Sequence, residues 1–232
     1  MKKHIPNLFT LLNLASGFLA VIFILNDQLI TGVWILIAAL VFDFLDGLFA
    51  RLLNAYSDLG KQLDSLADMV SFGVAPGIII YYLIRFASGS EFLGDNVAFV
   101  AVLVPLLAGV RLARFNLDKG QTDHFEGLPT PANAFFIFSL VLAIEYSESA
   151  IIINFTTNRW LLLLFTVGFS ILMVTRLPML SLKFRNFRFK GNELRYLFLV
   201  SCILLFAGAG FASLPLIIFI YITVSVIYAI IS

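Results

Sequence analysis

Long apolar stretches separated by short polar segments alternate along almost the whole chain. Eight of them are candidate membrane spans, at about residues 8–25, 30–53, 63–84, 97–113, 132–153, 160–174, 194–210 and 214–231. Several reach the roughly 20 apolar residues that a helix needs to cross a bilayer. The pattern predicts an all-α, polytopic membrane helix bundle of about eight transmembrane helices, in which residues 1–232 form a single domain.

The composition agrees with this pattern, because 61% of the residues are hydrophobic and only 12% are charged, unlike in soluble domains. The formal net charge of +1 gives no indication of a nucleic-acid partner, and we predict none. The single cysteine, Cys202, lies in an apolar run and cannot form a disulfide within the chain. The first apolar stretch continues to Leu25, so we interpret it as a span and not as a signal peptide.

Basic residues predict the orientation in the membrane. With the N-terminus in the cytoplasm, only Arg85 and Arg159 fall on the far side. The remaining Lys and Arg residues fall on the cytoplasmic side: Lys2, Lys3, Arg51, Lys61, Arg111, Arg114, Lys119, Arg176, Lys183, Arg185, Arg188, Lys190 and Arg195. We therefore predict a multi-pass protein of the cell (inner) membrane. The basic cluster 176–195 either contacts anionic lipid headgroups or acts only as a topology signal.

Four aspartates lie between residues 43 and 68, in or beside segments that otherwise resemble membrane spans. Charges in such places are costly and usually face a protein interior or a water-filled cavity. On a helix with about 100° per residue, Asp43 and Asp46 lie on one side, and Asp64 and Asp68 share one face of the next helix. Small or basic residues share these faces: Gly47, Ala50, Arg51 and Gly60. The spacing predicts two helices with opposed acidic faces, joined by a short polar turn.

Carboxylate oxygens suit Mg²⁺, Mn²⁺ or Ca²⁺, and no His or Cys lies nearby to favour zinc. Two divalent ions would offset four negative charges, and such a pair commonly clamps a phosphate during displacement at phosphorus. Gly47, Ala50 and Gly60 keep both faces shallow, so a large ligand can approach the backbone. The alternative is that the aspartates are helix-end acids on a cytosolic loop.

Other polar residues are candidates for the same site. Asn7 and Thr10 share a face of the first helix, where they either begin the helix or line the binding pocket of the same site. Ser71 lies one helical turn beyond Asp68. Arg111 and Arg114 form a fork suited to phosphate or carboxylate, or a positive-inside anchor.

Proline and glycine mark two further features of the chain. Pro76 predicts a kink in the third span. Residues 125–131 predict a rigid turn that folds back toward the site, and we expect His124 beside it to be a loop residue and not a ligand.

The aspartate segment resembles a known signature. Asp43-x2-Asp46-Gly47-x2-Ala50-Arg51-x8-Gly60-x3-Asp64-x3-Asp68 is similar to the pattern of the CDP-alcohol phosphotransferases at every fixed position. The stretches IPNLFTLLNLASG, LDSLADMVSFGVAP, RLARFN and FEGLPTP make the chain most similar to the bacterial membrane-embedded phosphatidylserine synthases. The resemblance extends to about Lys183, and the last two spans match in hydropathy only.

This resemblance implies a reaction. The phosphatidyl group of CDP-diacylglycerol is transferred to the hydroxyl of L-serine, giving phosphatidylserine and CMP, with two Mg²⁺ or Mn²⁺ ions. The enzyme would act on membrane lipid at the cytoplasmic face of the membrane, as a homodimer. Alternatives are the same family with glycerol phosphate, inositol phosphate or choline as acceptor, and a cation-coupled transporter. Transporters usually place such acids near the midplane, often between related halves. In this chain the acids cluster near one membrane face, and the sequence shows no evident halves.

The resemblance also implies roles for residues. Asp68 would be the general base and, with the other three aspartates, would hold the ions against the diphosphate. The CDP moiety would be bordered by a set of mostly small or polar residues: Asn7, Thr10, Gly47, Ala50, Arg51 and Gly60. Arg111 or Arg114 would pair with the serine carboxylate, with Ser71 nearby.

Overall fold

Helices make up almost all of the part of the chain that the structure describes, as predicted. The structure is a computed structural model that describes residues 4–88, 95–117, 125–179 and 192–231. The N-terminal half contains α1 (Ile5–Leu25), α2 (Leu29–Leu52), α3 (Asp58–Asp68), a π-helical turn (Met69–Val74), α4 (Ala75–Phe86), a 3-10 segment (Asp95–Val102) and α5 (Leu103–Leu117). The C-terminal half contains β1 (Phe125–Glu126), α6 (Thr130–Tyr146), α7 (Ala150–Thr157), α8 (Arg159–Val174), β2 (Pro178–Met179), α9 (Glu193–Ala209), a 3-10 turn (Gly210–Ser213) and α10 (Leu214–Ile231).

The prediction of a polytopic membrane bundle is confirmed. Five helical stretches of the described chain are long and apolar enough to cross a bilayer: Ile5–Leu25, Leu29–Leu52, Asp58–Phe86, Asn96–Leu117 and Glu193–Ile227. Two shorter apolar helices are α6 and α8. The total of eight spans and the cytoplasmic N-terminus stay predictions.

One predicted span boundary is wrong, and another is confirmed. The span predicted at 132–153 is wrong at its C-terminal end, because α6 stops at Tyr146 and Ser147 is extended (φ −140°, ψ 144°). The polar run from Glu145 to Ser149 supplies few residues that favour a continuous apolar helix. The break predicted near residues 207–210 is confirmed, since Gly210 adopts φ +54° between α9 and α10, a conformation that glycine tolerates well.

The third predicted span is irregular upstream of its proline. A π-helical turn follows Asp68 directly, and α4 continues from it at Ala75, with Pro76 as its second residue. The helix is continuous from Asp58 to Phe86, so Pro76 follows a local change of hydrogen-bond pattern and not a free helix end. The irregularity therefore lies between Asp68 and Pro76, next to the acidic site.

Contacts at the helix ends show which ends of the bundle belong together. Lys61 Nζ of α3 donates to the main-chain carbonyl of Asn116 at the end of α5 (3.1 Å), and Arg114 Nη1 donates to that of Val174 at the end of α8 (2.9 Å). At the other end, Arg159 Nη2 donates to the carbonyl of Arg85 (3.4 Å). The two arginines predicted for the far side thus lie together, away from Lys61 and Arg114.

The segment before α6 is held against the end of α8. Strands β1 and β2 pair antiparallel, and Gly127 N donates to Leu177 O (2.8 Å). Gly127 has φ +71°, and a Cβ there would lie 2.5 Å from Met173 O, so a side chain would clash with the backbone. Several basic residues and His124 lie outside the described residues: Lys2, Lys3, Lys119, Lys183, Arg185, Arg188 and Lys190.

Candidate active site

Three carboxylates from two consecutive helices converge at the junction of α2 and α3. One oxygen each from Asp43, Asp64 and Asp68 lies within 4.8 Å of the other two. Asp68 is buried and the other two are half-buried. Asp64 Oδ1 is buried and has no hydrogen-bond partner among the described residues. Like charges this close, partly removed from water, need a counter-charge, and the all-oxygen donor set fits a hard divalent ion.

Asp46, the fourth predicted ligand, lies outside this triad. It is buried, and its Oδ2 accepts a hydrogen bond from Thr10 Oγ1 of α1 (2.8 Å). Thr10 was predicted to line the nucleotide pocket, and the structure shows it buried against Asp46 instead of open to a cleft. The binding of CDP by Thr10 and of metal by Asp46 stay predictions.

Asn13 is a residue of this site to which the sequence assigned no role. Its Nδ2 donates to Asp68 Oδ1 (3.3 Å), and its main-chain carbonyl accepts from Ser71 Oγ (3.0 Å). Ser71 is fully buried, so its hydroxyl is engaged within the protein, and its predicted contact with substrate stays untested. A signal for Asn13 existed: it is a polar residue within an apolar span, three positions after Thr10 and therefore on the same face.

The predicted CDP-binding residues lie on α1, α2 and α3, the helices that carry the triad or donate hydrogen bonds to it. Ser57 caps α3 by accepting from Gly60 N (3.0 Å), and a Cβ on Gly60 would lie 3.0 Å from Asn7 Oδ1. Gly60 and Asn7 therefore face one another between α3 and α1. Gly47, Ala50 and Arg51 lie on the last turns of α2, where Arg51 is exposed. Their contacts with a nucleotide stay predictions.

Arg111 and Arg114 have different surroundings. Arg111 is half-buried, and its Nη1 donates to Thr130 Oγ1 at the start of α6 (3.1 Å). Its Nε has no hydrogen-bond partner among the described residues, and its charge lies within electrostatic range of Asp68. Arg114 is exposed and is held by Val174 O. The pairing of Arg111 or Arg114 with an acceptor carboxylate stays a prediction.

This geometry agrees with a comparison to protein families. The model of the CDP-alcohol phosphatidyltransferase family matches residues 3–178. The chain belongs to this family. The matched residues include Asp43, Asp46, Asp64, Asp68 and Arg111, and the match ends before α9 and α10.

Named relatives include several of one activity. The chain is 36% identical over 183 residues to the CDP-diacylglycerol–serine O-phosphatidyltransferase of Mycobacterium leprae, covering 75% of this chain and 57% of that protein. It is 31% identical over 195 residues to the enzyme of the same name from Bacillus subtilis, covering 82% and 95%. It is 37% identical over 146 residues to the archaetidylserine synthase of Methanothermobacter thermautotrophicus, covering 62% and 60%. The matched segment thus spans less than two thirds of the first and third of these relatives.

Proposed function

We propose that this protein transfers the phosphatidyl group of CDP-diacylglycerol to the hydroxyl of L-serine, forming phosphatidylserine and CMP. The observation that carries the proposal is the triad of Asp43, Asp64 and Asp68, whose oxygens converge within 4.8 Å of one another inside a membrane-embedded family member. The serine acceptor is supported by the names of the relatives and by Arg111, whose charge lies within electrostatic range of Asp68.

The triad fits a divalent ion on the evidence of its own atoms. Its donors are carboxylate oxygens, and Asp64 Oδ1 is buried without a partner among the described residues. We propose that Asp43, Asp64 and Asp68, joined by the Asp46 oxygen that Thr10 does not hold, bind two Mg²⁺ or Mn²⁺ ions. When bound, such ions offset charge on a diphosphate and on departing CMP.

Asp68 is proposed as the general base. The serine hydroxyl gives its proton to the carboxylate as its oxygen forms a bond to phosphorus, and the bond from phosphorus to the CMP oxygen breaks. A positioned base contributes about 10²–10⁴-fold to such a step. Asp68 suits this role because it is buried at the meeting point of α1 and α3 and has Arg111 within electrostatic range.

Other residues are proposed to bind the CDP moiety and the serine acceptor. We propose that Asn7, Gly47, Ala50, Arg51 and Gly60 border the CDP moiety, since they lie on the helices that carry the triad or contact it, and Gly60 lies against Asn7.

A different residue, Arg111, is proposed to bind the serine acceptor. Thr130 fixes one nitrogen of the Arg111 guanidinium and leaves Nε unpaired, so Arg111 can pair with the serine carboxylate. A homodimer remains a prediction that rests on the family resemblance alone.

The reaction is tested with purified protein, CDP-diacylglycerol, Mn²⁺ and a panel of alcohols: L-serine, glycerol phosphate, inositol phosphate and choline. CMP release and the lipid product are both measured, with the Asp64→Asn variant as a blank for contaminating enzymes. We expect serine to stimulate CMP release and to be incorporated into lipid. Stimulation by glycerol phosphate alone would overturn the acceptor, and absence of CMP release with every alcohol would overturn the reaction.

We further propose that the site lies at the cytoplasmic face of the inner membrane, because serine and CMP are dissolved in the cytoplasm. Cysteine accessibility tests this proposal in a Cys202→Ser background. Tyr56, exposed in the α2–α3 turn, and Gln28, exposed in the α1–α2 turn, lie at opposite ends of α2. A membrane-impermeant maleimide should label Gln28→Cys in intact spheroplasts and Tyr56→Cys only in inverted vesicles. The reverse pattern would refute the orientation.

A further inference from the structure

One face of α1 reaches two signature aspartates that belong to different helices. Thr10 Oγ1 donates to Asp46 Oδ2 on α2 (2.8 Å), and Asn13 Nδ2 donates to Asp68 Oδ1 on α3 (3.3 Å). Thr10 and Asn13 are three residues apart, so they project from the same side of the helix. Helix α1 therefore contributes hydrogen-bond donors to carboxylates that it does not itself carry.

The surroundings of Asn13 are unusual for an ordinary packing residue. Its side chain is completely buried, yet its own Oδ1 has no hydrogen-bond partner among the described residues. Leaving such a group unpaired costs about 1–3 kcal/mol, a cost that an apolar residue would avoid. Unpaired buried polar atoms in folded proteins call for a specific explanation, such as a role in the site itself.

The backbone at Asn13 is also fixed. Ser71 Oγ donates to the Asn13 carbonyl (3.0 Å), and Gly17, one turn later, lies so close to Ser71 that a Cβ would be 2.9 Å from the Ser71 Cα. The π-helical turn that begins after Asp68 is thus attached to α1 at Asn13. The main-chain carbonyl of Asn13 accepts from Ser71 and its side chain donates to Asp68, so both contacts hold this part of the third span against α1.

We propose that Asn13 is a positioning residue for Asp68. Its amide N–H donates to Asp68 Oδ1 and so fixes the rotation of the carboxylate that we propose as metal ligand and base. The inference rests on the proposed function, in which Asp68 is both ligand and base. Groups that hydrogen-bond metal-binding carboxylates typically contribute 10–100-fold to metal affinity or activity.

The test compares Asn13→Leu with Asn133→Leu. Asn133 on α6 is also a buried asparagine with an unpaired atom, but it lines an internal cavity with Ile80 and Val104, and none of the four aspartates lines that cavity. We expect Asn13→Leu to lower kcat by about 10–100-fold, with the KM values for serine and CDP-diacylglycerol changed less than threefold. Asn133→Leu should keep kcat within about twofold of the unmodified protein.

A second measurement needs no substrate. Mn²⁺ titration of the purified proteins, followed by electron paramagnetic resonance, should give a dissociation constant about 10-fold higher for Asn13→Leu than for Asn133→Leu. Equal kcat and equal Mn²⁺ affinity in the two variants would overturn the proposal. If Asn13→Leu does not elute as a folded protein in size-exclusion chromatography, Asn13→Ala is measured in the same way, and the same criteria apply.

The outcome is separable from that of the proposed function. An unmodified protein that releases no CMP with any alcohol refutes the reaction, whereas the Mn²⁺ titration still reports on the link between Asn13 and Asp68. Conversely, an active enzyme in which Asn13→Leu behaves like Asn133→Leu leaves the reaction standing and removes only the positioning role.

Discussion

Replacement of Gly17 by alanine tests the close approach of α1 to the π-helical turn. A Cβ at this position would lie 2.2 Å from Ser71 Oγ and 2.9 Å from Ser71 Cα. The hydroxyl could rotate, but the Cα belongs to the backbone, so α1 and the turn must separate. Overpacking of this kind costs about 1–3 kcal/mol. The same separation would stretch the hydrogen bond from Asn13 to Asp68.

Gly168→Ala is the matched control, because no atom lies within 4 Å of a Cβ built at Gly168 in α8. Both substitutions gain the higher helix propensity of alanine, about 1 kcal/mol, so this gain cancels in the comparison. We expect Gly17→Ala to be less stable than Gly168→Ala by about 1–3 kcal/mol, measured by thermal unfolding in detergent. CMP release below both transitions should also fall for Gly17→Ala alone. Equal stability and equal activity of the two variants would refute the close packing.

Three further predictions concern the site. Asp64→Asn should weaken Mn²⁺ binding by at least about 10-fold in a paramagnetic resonance titration, because it removes a charged ligand, and unchanged binding would exclude Asp64 from the metal site. Asp68→Asn should abolish CMP release while the protein still elutes as a folded species, whereas near-normal turnover would exclude it as the base. Arg111→Ala should raise the serine concentration needed for half-maximal rate by about 10–100-fold, as expected for loss of a charge-assisted hydrogen bond, with less effect on CDP-diacylglycerol. Arg114→Ala is its control, and equal effects of the two substitutions would argue against the carboxylate pairing.

The sequence predicted the acidic triad because helical periodicity converts spacing into direction. Asp64 and Asp68 are four residues apart, and Asp43 lies before the polar turn that joins α2 to α3, so the pattern predicts acidic faces that oppose one another. The separate environment of Asp46 did not follow, because it depends on how α1 packs against α2. A hydrogen bond from Thr10 across this contact has no signature in either helix alone.

Other parts of the site depend on helix rotation and on backbone register. Arg111 and Arg114 are three residues apart, so they point in neighbouring directions, and only the packing of α5 decides which one faces Asp68. Asn13 is a polar residue in an apolar run, on the same face as Thr10, but only the packing of α1 shows that it reaches Asp68. The π-helical turn at Met69–Val74 also leaves no mark in hydropathy, because it changes hydrogen-bond partners and not the types of residue.

The π-helical turn affects how the third span is attached to α1. Such a turn accommodates one residue more than a regular α-helical turn, so the helix on its two sides keeps nearly the same facing. A protein with one residue fewer between Asp68 and Pro76 would therefore continue as a regular α-helix, with Asp64 and Asp68 directed as before. The side chains within the turn would change direction, and the contacts of Ser71 with Asn13 and Gly17 would change with them. The number of residues in this turn is therefore a requirement of the attachment to α1 and not of the acidic cluster.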